Sequence, residues 1–556
     1  MHTGKKSRHG SLAILRSQDG IVMAIALIIM LILTLLGMGA LVSSSTDLLT
    51  TRSQRVGKGA FYASEGGLIY GFKELNTLLA TTLAPTSAQI AAITAPSISG
   101  FNFDSFSVAL SGAATTKTIT TGAYAGLNSI ATPYTMTSQT SGTGSDAGTV
   151  RITQTVEDQL IPLFQFGVFY DGDLEIFPGP SMTFNGRIHS NKDIYIAPGS
   201  GNTLSIDSRM SSAEDIYRCR KDSPSSCSSA QIKKTDGTTY APLTYDHNDS
   251  NWATKAYQDW GGLVQDSAHG VQKLNLPIGT TNPMDLIKRG DTINPGSSSE
   301  SDTLKSGRIY WQADLRIIDS SAYDKNGNSV TLPSGIVSTA TMYDYRENKS
   351  MTLRQIDIAN LVSSGKSPAN GILYISETQD LNNSKAVRLT NAATLPAGGL
   401  TVASDNPIYL KGNYNTVNKK GAAILGDAIT FLSNNWSDAN AVNTSSPFSN
   451  RVASDTTANA AVVTGNTTTG VGNYNGGLEN LPRFLENWTN KTFTYKGSLV
   501  DLWQSQQGTG TWLYGSPRYT APNRAWSYDT DFNDPANLPP GTPRVRTLAR
   551  TQWTRM

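Results

Sequence analysis

The stretch "IVMAIALIIMLILTLLGMGALV", Ile21 to Val42, decides how the rest of this 556-residue chain is read. Only Thr34, Gly37 and Gly39 interrupt its apolar run. A helix needs about twenty such residues to cross a hydrocarbon core. Lys5, Lys6, Arg8 and Arg16 stand ahead of it, and basic flanks stay on the cytoplasmic side of a membrane helix. No second run of this kind follows. The expectation is a single-pass protein of the inner membrane, with its N-terminus cytoplasmic and its bulk periplasmic. A secretory signal is cut after a shorter apolar core at a small-x-small site, and the nearest candidate, around Ala40 to Ser44, is poor. A leader cut before the core, directly after a glycine that ends a basic segment, fits better. Gly20 and Ile21 are the residues of that junction. A plain membrane anchor has the same hydropathy and stays open as a reading.

The helix is expected to run past the span, through residues 21 to 80. Val56, Ala60, Ala63, Gly67 and Tyr70 recur at i, i+4, i+7, i+11 and i+14 and form one stripe of mostly small side chains. Such a stripe permits close helix contact, which makes Ala60, Ala63 and Gly67 candidate helix-packing residues. The order of Gly20, the span, a Ser/Thr-rich exit and "AFYASEGGL" at 60 to 68 resembles the PilX N-terminal family of type IV pilus assembly proteins. The likeness covers residues 17 to 75. It implies a minor pilin-like priming or tip subunit and cleavage between Gly20 and Ile21 by prepilin peptidase. The partners it implies are other minor pilins and the pilus assembly machinery, with a location in the inner membrane, at a pilus tip or at the cell surface. Major pilins carry Phe and Glu at the first and fifth mature positions, where this chain has Ile21 and Ile25. The PilX-type group and the K-type pseudopilin of type II secretion are similar in lacking that carboxylate. The gap favours a minor subunit, and a chain this long would crowd its neighbours in a filament body. An envelope-anchored adhesin or carbohydrate-binding surface protein outside any filament is the alternative.

Formal net charge is +2, with no basic block beyond the leader, so nucleic acid binding has no footprint. Abundant Gly, Ser, Thr and Asn with few charges suits a β-rich exported chain with many turns. Cys219 and Cys227 are the only cysteines and lie in the polar loop "RCRKDSPSSCSS". A disulfide across that loop is expected in an oxidising compartment, and no activating context surrounds either thiol.

The expected fold class is therefore a long pilin-like transmembrane α-helix followed by mainly-β external domains. After the leader (1–20) and helix (21–80) come a Ser/Thr-rich β domain or stalk (81–157), a β-rich domain (158–395) and a mixed, mostly-β C-terminal domain (396–556). Within the second, "DLEIFPGPSMTFNGRIHSNK" at 173 to 192 and "DIYIAPGSGNTLSIDSRMSS" at 193 to 212 form a quasi-repeat near twenty residues. Two short strands per unit would suit a short β-solenoid-like segment. Asp171, Asp173, Glu175, His189, Asn191 and Asp193 crowd this repeat. Paired acids of this kind serve glycosidic chemistry in some proteins, yet more often they fill turns, and no matching substrate signature accompanies them.

Other motifs fail on inspection. "SSGKS" at 363 to 367 lacks the first glycine of a phosphate loop, and "YDKNGNSV" at 323 to 330 lacks the distal Glu of a calcium loop. Asn326-Gly327 reads instead as a hairpin turn. No catalytic residue, metal set or cofactor is assigned, and the chain is not expected to be an enzyme. Further on, Leu400 to Leu410 reads as paired strands broken at Asp405-Asn406-Pro407, and Leu481 to Trp488 as a short helix that buries Phe484, Leu485 and Trp488. The tail reads as an extended segment anchored by Trp526, Tyr528 and Phe532.

Overall fold

A computed structural model describes residues 18–143 and 148–555. Most of the basic leader, residues 1–17, lies outside the described residues. One helix, α1 (Gln18–Thr81), carries the span and continues for 64 residues, about 95 Å at 1.5 Å per residue. The region after it is mostly β.

The second half of α1 packs on an antiparallel sheet. Its strands are β1 (Phe101–Leu110), β2 (Thr115–Thr118), β3 (Asn128–Gly142) and β4 (Thr149–Pro162). They follow the order β1-β3-β4 with β2 also on β3, and the fourth place in the row is taken by the C-terminal strand Arg544–Arg555. Alternation along β3 and β4 turns Tyr134, Met136, Val150, Ile152 and Val156 toward Ala60, Leu68, Leu75 and Leu79 of the helix, as a sheet with one covered face requires. The expected 81–157 unit is thus one sheet with the helix and the chain's last strand. Pro162 pairs with Arg544, and the amide of Leu163 donates to the carbonyl of Pro543 at 2.9 Å. Everything between those residues leaves and re-enters the sheet at one place.

The inserted part is built from short parallel strands. Val168–Tyr170, Ile188–Ser190, Met210–Ser212 and Val264–Gln265 stack in register. Each unit of the quasi-repeat carries three strands rather than two, as in Ile194–Ile196, Leu204–Ile206 and Met210–Ser212. "SNKDIY" at 190 to 195 recurs as "SAEDIY" at 212 to 217. In both, the serine hydroxyl donates to a backbone carbonyl one turn earlier, that of Gly172 or Lys192, and the tyrosine donates to the aspartate two residues before it.

A second series starts at the far end. Leu315–Ile318, Ile372–Ser376, Leu400–Ala403, Ala422–Leu425, Ala461–Asn466 and Leu499–Gln504 add in parallel, and the last pairs with Val168–Tyr170. The two series therefore meet head to tail in one twelve-stranded sheet, where the first inserted strand adjoins nearly the last. Residues 266–314 return along the outer face. Val271, Leu274, Ile287 and Tyr310 there bury Phe169, Tyr374, Leu425 and Val500.

Several local expectations change. Residues 395 and 396 fall between paired strands of one ladder, and a single core extends to both sides. Leu400–Ala403 and Ile408–Lys411 belong to different sheets and do not pair with each other. Leu481 to Trp488 is no helix: Leu478–Asn480 makes one 3-10 turn and Arg483–Phe484 is a strand. Phe484, Leu485 and Trp488 are nevertheless buried. Asn326-Gly327 does turn a hairpin between Ser321–Asp324 and Ser329–Val330, with Gly327 at φ +88°, a conformation glycine adopts without strain.

Candidate functional site

Two places combine exposed or buried groups in ways that the fold alone does not require. The first is α1. From Ile21 to Leu49 its large apolar side chains are exposed, and this helix is long and apolar enough to cross a membrane. Gly20 is the third described residue of the helix, and a Cβ built there meets nothing within 4 Å.

The small-residue stripe has a different use from the one expected. Ala60 and Ala63 are buried against the chain's own sheet, and a Cβ at Gly67 would lie 2.5 Å from Ser138 Oγ and 2.6 Å from the Phe103 ring. Thr140 Oγ1 donates to the Ala60 carbonyl at 2.7 Å, and Ser64 Oγ donates to the Val150 carbonyl at 2.8 Å. The missing side chains let helix and sheet approach, so this face is not free for other helices. At the end of α1, Arg546 of the C-terminal strand donates to Asp158 Oδ1 at 2.6 Å and to the carbonyls of Leu79, Thr82 and Leu83. A cation thereby meets helix carbonyls that lack partners of their own.

The second place is the seam where Leu499–Gln504 pairs with Val168–Tyr170. The amide of Asp171 donates to the Asp501 carbonyl at 2.8 Å, which brings Asp171, Asp173, Glu175 and Asp501 around one cleft of about 250 Å³. A register shift between Thr464 and Gly465 bulges the last strand at Leu502, and bulges commonly re-aim side chains beside sites. Gly465 leaves room for Trp503, whose ring a Cβ there would approach to 2.4 Å.

The electrostatics are those of acids held away from water. Burial pushes Glu175 up to about 7, against the Thr469 hydroxyl that donates to it and the charge of Lys221. Asp501 is raised well above the usual carboxylate range by burial first and by the charge of Asp171 second. Lys221 Nζ sits 2.5 Å from Asp173 Oδ2, and Asn191 donates to Asp171 at 2.8 Å.

His189 does not join this cleft as a base. It is fully buried, bonded to Ser211 and Asn191, and burial lowers it to about 4. Asn191 also ties the returning segment down through the amide and carbonyl of Leu274. Asp193 fills the repeating turn described above. Asp501, Asn466 and Trp503 carry no motif of their own. Only the pairing of distant strands brings them to Glu175.

Asp215, His247 and Asp266 place one ligand atom each within 4.8 Å of one another. Their atoms are already engaged: Asp266 accepts from Trp252 Nε1 at 2.6 Å, Asp215 accepts from Ser267 and Tyr217, and His247 Nδ1 lies 2.9 Å from Asp215. The cluster is a hydrogen-bonded network that fastens the helix Trp252–Trp260 to the stack. Cys219 and Cys227 are joined in a disulfide that closes the polar loop beside the cleft's Lys221.

No family model, no curated protein and no solved structure matches this chain.

Proposed function

We propose that this chain is a minor, priming or tip subunit of a type IV pilus or a closely related assembly, held in the inner membrane by α1 until it is incorporated. The observation that carries the reading is the division of α1 into two halves. The first exposes its large apolar side chains, and the second is locked onto an antiparallel sheet. A plain anchor needs only the first half. A subunit that packs by its helix needs that helix fixed rigidly to its outer domain, which the contacts of Ser64, Thr140 and Arg546 supply. The order of Gly20, span and "AFYASEGGL" supports the same reading. In it, residues 1–20 are a cytoplasmic leader, prepilin peptidase cuts before Ile21, and the stacked parallel strands form a solenoid-like arm outside the membrane. The assembly contacts fall to the exposed surface of Ile21 to Leu49, since Ala60, Ala63 and Gly67 are occupied.

Mass spectrometry of the protein extracted from membranes tests this directly. The expected N-terminus is Ile21, and a Gly20 variant with a bulky residue should retain the leader. A wild-type protein that still begins at Met1, in cells whose pilins are processed, would remove the filament reading and leave an anchored surface protein.

A further inference from the structure

The sheet under α1 ends on the strand Arg544–Arg555, which pairs with β4 on one side only. Its other side is taken at one residue. The Arg546 amide donates to the Asn275 carbonyl at 2.8 Å, and the Asn275 amide donates to the Arg546 carbonyl at 3.2 Å. The neighbouring Leu274 bonds to Asn191 instead, so the added pairing stops there. Backbone groups alternate sides along an antiparallel strand. Leu548, Arg550, Trp553 and Arg555 oppose Asp158, Val156, Gln154 and Ile152 of β4 and keep the phase of Arg546 across the bulge. Their amides and carbonyls therefore face outward, and no backbone group among the described residues meets them. The open edge is about 23 Å long at 3.3 Å per residue.

Proteins commonly guard such edges with charges that project from them. Here the arginines fold back onto the helix: Arg550 lies 4.4 Å from the ring centre of Phe72, and Arg555 lies 5.1 Å from that of Phe61. Trp553 stands edge-on to Phe61, and Phe61 edge-on to Tyr62. Lys58, Phe61, Glu65, Ile69 and Phe72 follow at spacings of three or four and share one flank of α1 with Tyr62. Beyond Leu49, the large apolar side chains that α1 exposes are Tyr62 and Ile69. Both lie on this flank, beside the open edge and the exposed Trp553. Neither Arg550 nor Arg555 forms an ion pair among the described residues, and with Lys58 they outnumber Glu65.

These features select the occupant. A second copy of this strand would set arginine against arginine, and like charges across a strand pair are unfavourable. An extended segment with carboxylates and apolar side chains toward α1 would complete the backbone bonds, answer the arginines and cover Tyr62, Ile69 and Trp553. We propose that this edge receives an acidic β-strand from another protein chain. The site rests on the sheet alone and does not depend on the filament reading.

The test uses the full-length protein in detergent and a synthetic peptide of about ten residues, long enough to span the edge. Threonine fills one face of the peptide, and glutamate alternates with valine on the other; a control carries lysine for each glutamate. The acidic peptide is expected to bind with a Kd near 100 µM, at least about tenfold tighter than the control. It should slow hydrogen exchange in residues 547–555 about tenfold. Arg550→Pro removes an outward amide, a change that an edge strand tolerates, and should abolish the protection. The double variant Arg550→Glu, Arg555→Glu should prefer the lysine peptide, and it carries the test alone if the proline variant fails to melt cooperatively. No protection by the acidic peptide at about 1 mM would overturn the proposal. Equal binding of both peptides, or binding unchanged in the folded variants, would do the same. Protection that grows with protein concentration in the absence of peptide, with a dimer seen by light scattering, would give the edge to a second copy instead.

Discussion

Replacing Arg546 by methionine should detach the end of α1 from its sheet. Arg546 and Asp158 are both buried, with Nε 2.6 Å from Oδ1, and the guanidinium also serves three carbonyls at the helix end. Removing one partner of a buried pair leaves the other charge uncompensated and costs about 3–5 kcal/mol. A unit of roughly 150 residues loses about 2–4 °C per kcal/mol, so its melting midpoint should fall by about 10 °C. Burial already pushes Asp158 up against the pull of Arg546, and without the arginine it rises further. A carboxyl raised in the folded state favours folding below its unfolded value, and that contribution is lost as pH rises through the folded value. The deficit should therefore be large at pH 8 and shrink toward pH 4, and adding Asp158→Asn should recover much of it at neutral pH. Calorimetry of the full chain, with hydrogen exchange read on residues 149–162 and 544–555, makes the measurement. A midpoint within about 1 °C of wild type, or a deficit independent of pH, would refute the account of Arg546 as the clamp on α1.

Gly67→Leu should destabilise the same unit by about 1–3 kcal/mol through overpacking against Ser138 and Phe103. A variant that melts like wild type but loses piliation would instead point to helix–helix contact at that stripe. Burial holds Glu175, Glu479 and Glu486 up to about 7. Each therefore favours the folded stack most below the ordinary carboxylate range and loses that contribution, at most about 3 kcal/mol, as pH rises through 7. The midpoint should fall between pH 5 and 8, and Glu479→Gln should flatten the slope. Replacing Cys219 and Cys227 by serine should cost about 2–3 kcal/mol by loop closure, seen as faster exchange in residues 218–228, with exchange in the ladders of the far series unchanged.

What the sequence discloses here depends on the range of the interaction. Ile21 to Val42 is legible because a long apolar helix is a property of consecutive residues, and the Asn326-Gly327 turn because a hairpin is local. The stripe at Ala60, Ala63 and Gly67 is also visible, but sequence shows only that something approaches closely, and either a sheet or another helix satisfies the pattern. Strands of three residues, such as Val168–Tyr170, are too short to establish a period of two. Only the Asp-Ile-Tyr recurrence exposes the stacking, and three strands per turn hide inside a repeat that shows two. The cleft was partly visible as the acids Asp171, Asp173 and Glu175. Its other wall could not be read, because Asn466, Asp501 and Trp503 arrive through a pairing between strands more than three hundred residues apart.

That pairing also explains why the chain returns to where it began. One series of parallel strands grows outward from Val168–Tyr170, and the other starts at the opposite end of the stack and grows back to it, ending with Leu499–Gln504. A parallel stack that started at the sheet and ran one way would leave its end far off, by about 4.8 Å for every strand added. Here residues 266–314 carry the chain to the far end first, so the second series comes back strand by strand to the starting point. Arg544 then lies beside Pro162, and the last strand is available to complete the sheet under α1. The same crossing that permits this closure creates the seam, where neighbouring turns are not neighbours in sequence. Side chains there face each other without the repeat that matches them elsewhere, and the bulge at Leu502 and the buried carboxyls of Glu175 and Asp501 lie at that junction.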